Sequence, residues 1–419
     1  MKKFLSINEK MNLVIQKNLI ALFVCGCMLV IGCGQRTANP PPVPMDSLPV
    51  VQAQKVYSLP PSLVSVDLRK NLPTLQSIKI EIKEKKYIPL ETTPEILLDK
   101  DKTIKYLSET ICVITNRERG DVFIFNLEGK CVGNFNCQEP GPYGYQYIVD
   151  IVVDENKDEI FIVCGDIMVY TFEGKFLRKL YSPKDTKIWS IRNFNNTTLL
   201  ASGPPHVNMS DSSLLKTTPY VQLSKQTGEV TGSLNVGWFD RQVLMEGWRS
   251  ATPTMIKNGK DIYLSDFSSD TLYHIEQNGK LKPFLVRTPS ILEKKPNIFF
   301  QVKDKFGSYL VFHKTINNFD HSGPDHEKFK MEQNILNMET GEMFKFGGGF
   351  KFTNDPDDVT IRYSLSIPYD VVANTIAGFA DADILIDELK NGDVKSDELK
   401  KVVSALHEED NPVLVIIKF

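Results

Sequence analysis

One short segment of the sequence combines the side chains that most often bind divalent metal ions. Two histidines and three carboxylates lie within residues 320–327, and His321, Asp325 and His326 are the candidate ligands. Imidazole nitrogens and carboxylate oxygens can share one cation if the loop folds back on itself. A Gly-Pro pair inside the segment is a turn signal, so the alternative is a polar loop between two strands.

Two combinations of tryptophan and arginine offer a second kind of chemistry. Trp189 is followed by Arg192, and Trp248 by Arg249. An indole ring stacks against a sugar, while a guanidinium donates paired hydrogen bonds to a carboxylate. These four residues are therefore candidate ligand-binding residues. The alternative is that the tryptophans are buried between packed sheets.

The signatures of several enzyme classes are absent from the sequence. It contains no GxSxG nucleophile motif, no GxxxxGK[ST] phosphate loop and no HExxH zinc motif. It also lacks the CxxC pairs of structural zinc sites. The sequence therefore predicts no catalytic residues.

The composition is that of a globular protein, with 42% hydrophobic and 24% charged residues and a formal net charge of −3. Nucleic acid is not an expected partner, because its binding depends on clustered lysine and arginine. Four cysteines lie beyond residue 33, and we expect buried free thiols at Cys112, Cys131, Cys137 and Cys164, although an envelope location also permits disulfides.

Residues 1–32 resemble a bacterial lipoprotein signal peptide. Lysines precede an apolar run from Leu19 to Ile31 that is too short to span a bilayer comfortably. Gly32 and Cys33 follow, as in a lipobox, where the cysteine thiol is diacylated and the peptide before it is removed. The alternatives are a signal peptide with an incidental cysteine and a single anchoring helix. We expect a lipid at Cys33 and anchoring to a membrane.

Residues 33–74 are expected to form a tether between the lipid and the folded body. Seven prolines lie between Arg36 and Pro61, and the segment has little periodicity. Proline favours extended polyproline II conformations, so a semi-rigid spacer is predicted.

The body, residues 75–419, contains a repeated hairpin pattern. Alternating apolar strands lead into turns at Gly129, Gly174, Gly228, Gly279 and Gly341. Glycine supplies the positive φ of a tight turn, and the spacing is close to that of four-stranded propeller blades. A generic β-rich protein with similar turns is the alternative.

The two ends of the body carry the segments that could complete a further unit. Residues 411–419 form an apolar strand at the end of the chain, and residues 86–91 form another without an evident partner. Because an exposed apolar edge invites aggregation, we expect these two strands to pair and close the ring. Residues 382–409 predict a helical insertion, with Ser396 as the cap of its second helix.

These features together resemble the six-bladed β-propeller lipoproteins of Gram-negative envelopes, which are related to NHL-repeat propellers. The resemblance rests on residues 87–92, the turns at Gly129 and Gly174, and residues 411–415. It implies an all-β six-bladed propeller with a small helical insertion. It also implies a cell-envelope protein anchored by lipid, with the outer membrane as the expected location.

Members of that family often carry a Gly-Pro-Gly-Glu-Tyr loop before the second blade. The matching stretch here is Gly-Pro-Tyr-Gly-Tyr, residues 141–145. Its first, second and last positions agree with the family pattern. The resemblance therefore adds Tyr145 to the candidate ligand-binding residues.

Two functions follow from this architecture. The first is a non-enzymatic binding or interaction module that presents loops to a glycan, a peptide or an envelope protein, without a cofactor. The alternative is a calcium-dependent hydrolase or lactonase with its site in the central channel, where inner strands offer acids such as Asp150.

Overall fold

Short β-strands make up most of the structure, a computed structural model of the chain. It describes residues 50–52, 63–116, 118–183, 188–203, 220–236, 254–266, 269–291, 293, 297–317, 329–357, 364–366 and 372–419. All of these belong to the second of two units into which the chain divides, Pro44–Phe419. No helix in these ranges is long and apolar enough to cross a membrane.

The first four strands do not form a sheet of their own. They are β1 (Val50–Gln52), β2 (Val64–Asp67), β3 (Thr74–Glu81) and β4 (Glu84–Pro89). Each of them joins a sheet that is built from later strands. Their partners therefore lie far away along the chain.

Two four-stranded antiparallel sheets follow, each formed by consecutive strands. Sheet I contains β5 (Lys102–Leu107), β6 (Ile111–Asn116), β7 (Asp121–Asn126) and β8 (Cys131–Asn136). Sheet II contains β9 (Asp150–Asp154), β10 (Glu159–Cys164), β11 (Asp166–Thr171) and β12 (Phe176–Leu180).

The next three sheets have the same four-strand order and one added strand each. Sheet III contains β13 (Ser190–Asn193), β14 (Thr198–Ser202), β15 (Tyr220–Ser224) and β16 (Val230–Asn235). Sheet IV contains β17 (Thr254–Asn258), β18 (Asp261–Ser265), β19 (Thr271–Ile275) and β20 (Leu281–Thr288). Sheet V contains β21 (Asn297–Phe306), β22 (Tyr309–Asn317), β23 (Phe329–Asn337) and β24 (Met343–Thr353). Strands β1, β2 and β3 pair in parallel with β16, β20 and β24.

The expected boundary at residue 75 between tether and body is therefore wrong. Val64–Asp67 pairs with β20, and the side chains of Val66 and Leu68 are buried. The sequence did not reveal β2, because a strand that pairs in parallel with a distant sheet edge is not marked by a local turn.

Sheet VI joins an early strand, β4, to the last strands of the chain. It contains β25 (Ser364–Ser366), β26 (Thr375–Ala380), β27 (Val413–Lys418) and β4. Strand β27 pairs antiparallel with β4, with Leu414 opposite Ile88. Helices α1 (Ala382–Lys390) and α2 (Asp397–Val403) lie between β26 and β27. The Ser396 side chain accepts a hydrogen bond from the Leu399 amide and so caps α2.

The sheets are arranged in sequence around a common centre. Strands β5, β9, β13 and β17 are the first edges of their sheets, and each contacts the next, with β17 also contacting β21. Each interface between consecutive sheets is filled by its own cluster of buried apolar side chains, including the interfaces of sheet VI with sheets V and I. This arrangement is that of a β-propeller.

The build of the propeller differs from the expectation of six equivalent blades. Sheets I to V are five blades that each take four consecutive strands from one stretch of chain. Sheet VI instead takes β4 from one end of the chain and β25 to β27 from the other. The glycine repeat marks only the five continuous blades, because the last strand of sheet VI, β4, comes from a distant part of the chain and no hairpin connects it to β27.

The repeated turns have the backbone that the sequence predicts. Gly129, Gly174, Gly228, Gly279 and Gly341 all have positive φ, and each ends the hairpin before the last antiparallel strand of its blade. The glycine repeat is thus confirmed as a blade repeat. The surroundings of these turns differ, because a Cβ on Gly129 would lie 2.0 Å from the Pro89 carbonyl oxygen, whereas one on Gly341 would meet nothing within 4 Å.

Replacing Gly129 by alanine is expected to destabilise the fold more than replacing Gly341. Both variants force a Cβ into the left-handed region, which costs about 1 kcal/mol. Gly129→Ala must also move the backbone of β4, so we expect a total loss of about 3 kcal/mol, against about 1 kcal/mol for Gly341→Ala. Urea unfolding of both variants measures the difference. Equal losses of unfolding free energy would contradict close packing of the Gly129 turn against β4.

Candidate functional site

Exposed aromatic side chains are concentrated on one part of the propeller. In the described part of the chain, the large aromatic residues that are exposed are Tyr143, Tyr147, Tyr181 and Trp189. All four lie in the two segments that flank sheet II. Because exposed aromatic surface is unfavourable in water, exposed aromatic side chains that also line a groove indicate a binding surface.

A groove of about 950 Å³ lies beside these residues. Its walls come from the segments that lead into β5, β9 and β13 and from the turns β6–β7 and β10–β11, and we call this end of the propeller the loop face. The lining residues are Lys100, Asp101, Lys102, Thr103, Glu118, Gln138, Tyr147, Ile148, Val149, Gly165, Ile188 and Trp189. The volume is near the upper end of the range for ligand sites, roughly 300–1,000 Å³.

The loop that carries Tyr143 and Tyr147 is held in place by the buried side chain of Tyr145. The Tyr145 side chain is buried, and its hydroxyl donates a hydrogen bond to the Gly120 carbonyl at 2.5 Å. The Tyr145 amide donates to the Cys137 carbonyl at 3.0 Å. Burial raises the pKa of Tyr145, so the hydroxyl remains a donor at physiological pH. Tyr145 therefore positions the loop and does not line the groove.

A second tyrosine and a glycine complete the support of this loop. The Tyr170 hydroxyl donates a hydrogen bond to the Tyr143 carbonyl at 2.6 Å. A Cβ on Gly144 would lie 2.4 Å from the Glu139 carbonyl oxygen, so the close return of the chain requires glycine there. The family-like stretch 141–145 is thus a rigid support for its exposed aromatic neighbours.

Trp189 and Arg192 do not act together, although the sequence pairs them. Trp189 lines the groove and is 45% exposed, whereas Arg192 is 3% exposed. The Arg192 guanidinium donates to the Asp150 carboxylate, with Nη1 2.9 Å from Oδ2. Arg192 is therefore a structural residue that joins sheets II and III, and Trp189 is the member of the pair that can contact a ligand.

The Asp150 carboxylate is fully used by the protein. Its Oδ2 atom also accepts hydrogen bonds from the Ser190 hydroxyl and the Ile191 amide, at 2.9 and 3.0 Å. Its Oδ1 atom accepts one from the Ile151 amide. These contacts hold the start of β13 against β9 and so fix the position of Trp189.

The charges that line the groove are balanced. Lys100 and Lys102 are matched by Asp101 and Glu118. The Lys102 ammonium also lies 2.9 Å from the Asp381 carboxylate, next to the start of α1. The groove therefore combines aromatic surface with donors and acceptors but has no strong field of either sign.

A half-buried pair of charged residues on β21 was not singled out from the sequence. Lys303 is the extra residue of a β-bulge opposite β22, and Asp304 follows it. Burial raises the pKa of Asp304 to about 6 and lowers that of Lys303. Burial and the Lys303 charge lower the pKa of His313 on β22. Charged residues inside the otherwise apolar pattern of β21 were the available signal.

The acidic loop at Asp355 and Asp357 is occupied by protein groups. The Lys85 ammonium lies 2.6 Å from Asp355 and 3.4 Å from Asp357. Asp357 also accepts hydrogen bonds from the Tyr87 hydroxyl and the Ser396 amide. These contacts attach the helical insertion to β4.

Several predicted site residues lie outside the described residues. They are Cys33, Trp248, Arg249, His321, Asp325 and His326. Within the described ranges, no group of three or more histidine, cysteine, aspartate or glutamate side chains is placed to hold a metal ion.

The described cysteines are free thiols. Cys112 is buried and the other three are half-buried. Burial raises the pKa of Cys164 to about 11, so its reactive thiolate form is scarce at neutral pH. These cysteines are packing residues between sheets.

The closed set of sheets defines the class: a β-propeller, here with a groove on its loop face. The chain belongs to the family described as a domain of unknown function, DUF4934, whose model matches residues 63–418. That match begins just before β2 and so includes this strand, which the sequence had assigned to a tether. A search of curated proteins finds no match.

The chain is similar to several solved structures. A Bacteroides fragilis protein described as exported has a TM-score of 0.53 at 15% identity, covering 85% of this chain and 99% of that chain. A DUF4221 member from Bacteroides vulgatus has a TM-score of 0.39 at 11% identity, covering 81% and 96%. An inactive virginiamycin B lyase from Staphylococcus aureus with quinupristin has a TM-score of 0.40 at 11% identity, covering 80% and 100%. At such identities, the likeness to the Bacteroides fragilis protein concerns the fold alone.

The stability of the propeller is expected to depend on pH through Asp304. Because burial raises its pKa to about 6, the folded chain keeps a proton that the unfolded chain releases near pH 4. This contribution to stability is complete below pH 4 and is lost as the pH rises through 6. Asp304→Asn should therefore raise the free energy of unfolding by about 2 kcal/mol at pH 8 and change it little at pH 4.

Denaturant titrations at both pH values measure this effect. Asp101→Asn, which removes an exposed carboxylate on the loop face, is the matched control and should change stability little at either pH. An equal gain for Asp304→Asn at pH 4 and pH 8 would show that the buried charge is not its cause.

Proposed function

We propose that this protein is a non-enzymatic binding module of the cell envelope, and that the groove on the loop face is its binding site. The observation that carries the proposal is the exposure of Tyr147 and Trp189 along one groove, each 45% exposed. Loops on a rigid scaffold are the usual place for recognition, and aromatic residues contribute much of the binding energy at such sites.

The surroundings of the two aromatic residues favour binding with little rearrangement. Tyr145 and Tyr170 hold the segment around Tyr147 by hydrogen bonds to backbone carbonyls. The Asp150 contacts hold the backbone beside Trp189. A surface that is already ordered loses less conformational entropy on binding.

We also propose that the protein is attached to a membrane, with the outer membrane as the location, through a lipid on Cys33. The support is the apolar run ending in Gly32 and Cys33. A diacylated or triacylated cysteine gives stable anchoring, because each buried methylene contributes about 0.8 kcal/mol. The loop face would then be presented to partners at the membrane surface.

The propeller itself is proposed to have six blades, with sheet VI as the sixth. The support is that sheet VI contributes apolar side chains to clusters on both sides, with sheet V and with sheet I. In this arrangement the groove spans the first three blades in chain order.

A photo-crosslinker at the groove tests the binding proposal. p-Benzoylphenylalanine in place of Tyr147 in the full-length protein is expected to form adducts with an envelope component on irradiation of cells. The same substitution at Tyr181, which is exposed but does not line the groove, is the matched control and should give at least fivefold less adduct. Equal yields at the two positions, or no adduct at Tyr147, would contradict a binding site in the groove.

The lipid anchor predicts a specific response to loss of one cysteine. Cys33→Ala should abolish incorporation of a clickable fatty acid and move the protein from the membrane fraction to the soluble fraction. Cys27→Ala is the control, because Cys27 also follows a glycine in the apolar run. Fatty-acid incorporation that survives in Cys33→Ala but is lost in Cys27→Ala would place the lipid on Cys27 and contradict the proposal.

A further inference from the structure

We propose that the ligand of the loop-face groove is an uncharged oligosaccharide; this inference rests on the proposed function and specifies its ligand. The exposed rings of Tyr147 and Trp189 supply flat apolar surfaces in a groove that is otherwise polar. The C–H face of a pyranose ring is apolar and carries partial positive charge, which suits the negative face of an aromatic ring.

The charge balance of the groove favours an uncharged ligand. The ammonium groups of Lys100 and Lys102 are matched by the carboxylates of Asp101 and Glu118. A phosphate-rich or acidic polymer would need clustered basic groups, as nucleic-acid sites show. Paired donors and acceptors instead match hydroxyl groups, which both donate and accept hydrogen bonds.

The build of the walls favours a sugar chain over a peptide. Extended peptides commonly bind by adding a strand to an open sheet edge. The walls here are chiefly turns and the segments before strands, and only Lys102 and Thr103 among the lining residues lie within a strand. Side-chain hydroxyl, amide and charged groups are therefore the main polar contacts on offer.

The open shape favours a chain of several sugars over a single one. The groove extends across the starts of β5, β9 and β13, which belong to three different sheets. Its volume of about 950 Å³ is larger than one monosaccharide needs. Tyr147 leads into β9 and Trp189 into β13, so the two rings line parts of the groove that belong to two different sheets.

A binding array with the full-length protein in detergent tests the inference. The array carries neutral oligosaccharides, acidic oligosaccharides and peptides, and bound protein is quantified by fluorescence. We expect binding to neutral oligosaccharides that is at least tenfold weaker in Tyr147→Ala and in Trp189→Ala. Tyr181→Ala is the matched control and should bind within twofold of the unaltered protein.

Salt dependence separates neutral ligands from acidic ones. Affinity for the bound oligosaccharide should change less than twofold between 50 and 500 mM NaCl, because no charge pairs form. A loss of more than tenfold over this range would overturn the uncharged-ligand inference. Thermal melts of each variant, expected to match the unaltered protein because both rings are exposed, show whether the fold is intact.

The remaining outcomes separate this inference from the proposed function. Binding only to peptides or acidic oligosaccharides, with the same dependence on Tyr147 and Trp189, overturns the inference and leaves the groove as a binding site. Neutral oligosaccharide binding that is unaffected by both variants overturns the inference and places the ligand elsewhere. No binding to any probe, together with no Tyr147 crosslink, overturns both proposals.

Discussion

Every sheet of this propeller is apolar on both faces, and this requirement for cover on two sides determines the rest of the structure. In β27 the alternation is simple: Val413, Val415 and Ile417 pack with sheet V, while Leu414 and Ile416 pack with sheet I. An open row of such sheets would leave two apolar faces in water, at about 25 cal/mol for each Å² exposed. Pairing of β27 with β4 closes the row, and the two chain ends then cover each other.

The groove is a consequence of the same closure. Because each blade begins with its innermost strand, the segments that lead into β5, β9 and β13 meet at one end of the propeller. Packing between the sheets sets the spacing of these segments. Buried polar contacts, such as the ion pair of Asp150 with Arg192, hold the start of one blade against the next. The residues that line the groove can therefore vary in chemistry without changing the interfaces that hold the fold together.

The parts of the structure that followed from sequence were those with local causes. The five glycine turns, the Ser396 cap and the pairing of residues 86–91 with the last strand each depend on a short pattern and a backbone requirement. The parallel strands β1 and β2 had no such signal. Neither did the two aromatic residues of the groove, since Tyr147 and Trp189 line it only because the segments before β9 and β13 meet at one end of the propeller.

Two tyrosines in one loop have different roles: one supports the loop from the interior, and the other is exposed in the groove. Tyr145 is buried and its hydroxyl donates a hydrogen bond to the Gly120 carbonyl. Tyr147, two positions later, is 45% exposed and lines the groove. The same separation holds around the start of β13, where Arg192 is buried against Asp150 and Trp189, just before the strand, is exposed. Residues that are close in sequence can therefore differ in burial, so proximity along the chain does not identify the residues that line the groove. Exposed rings next to buried, hydrogen-bonded supports give the groove a shape that exists before any ligand arrives.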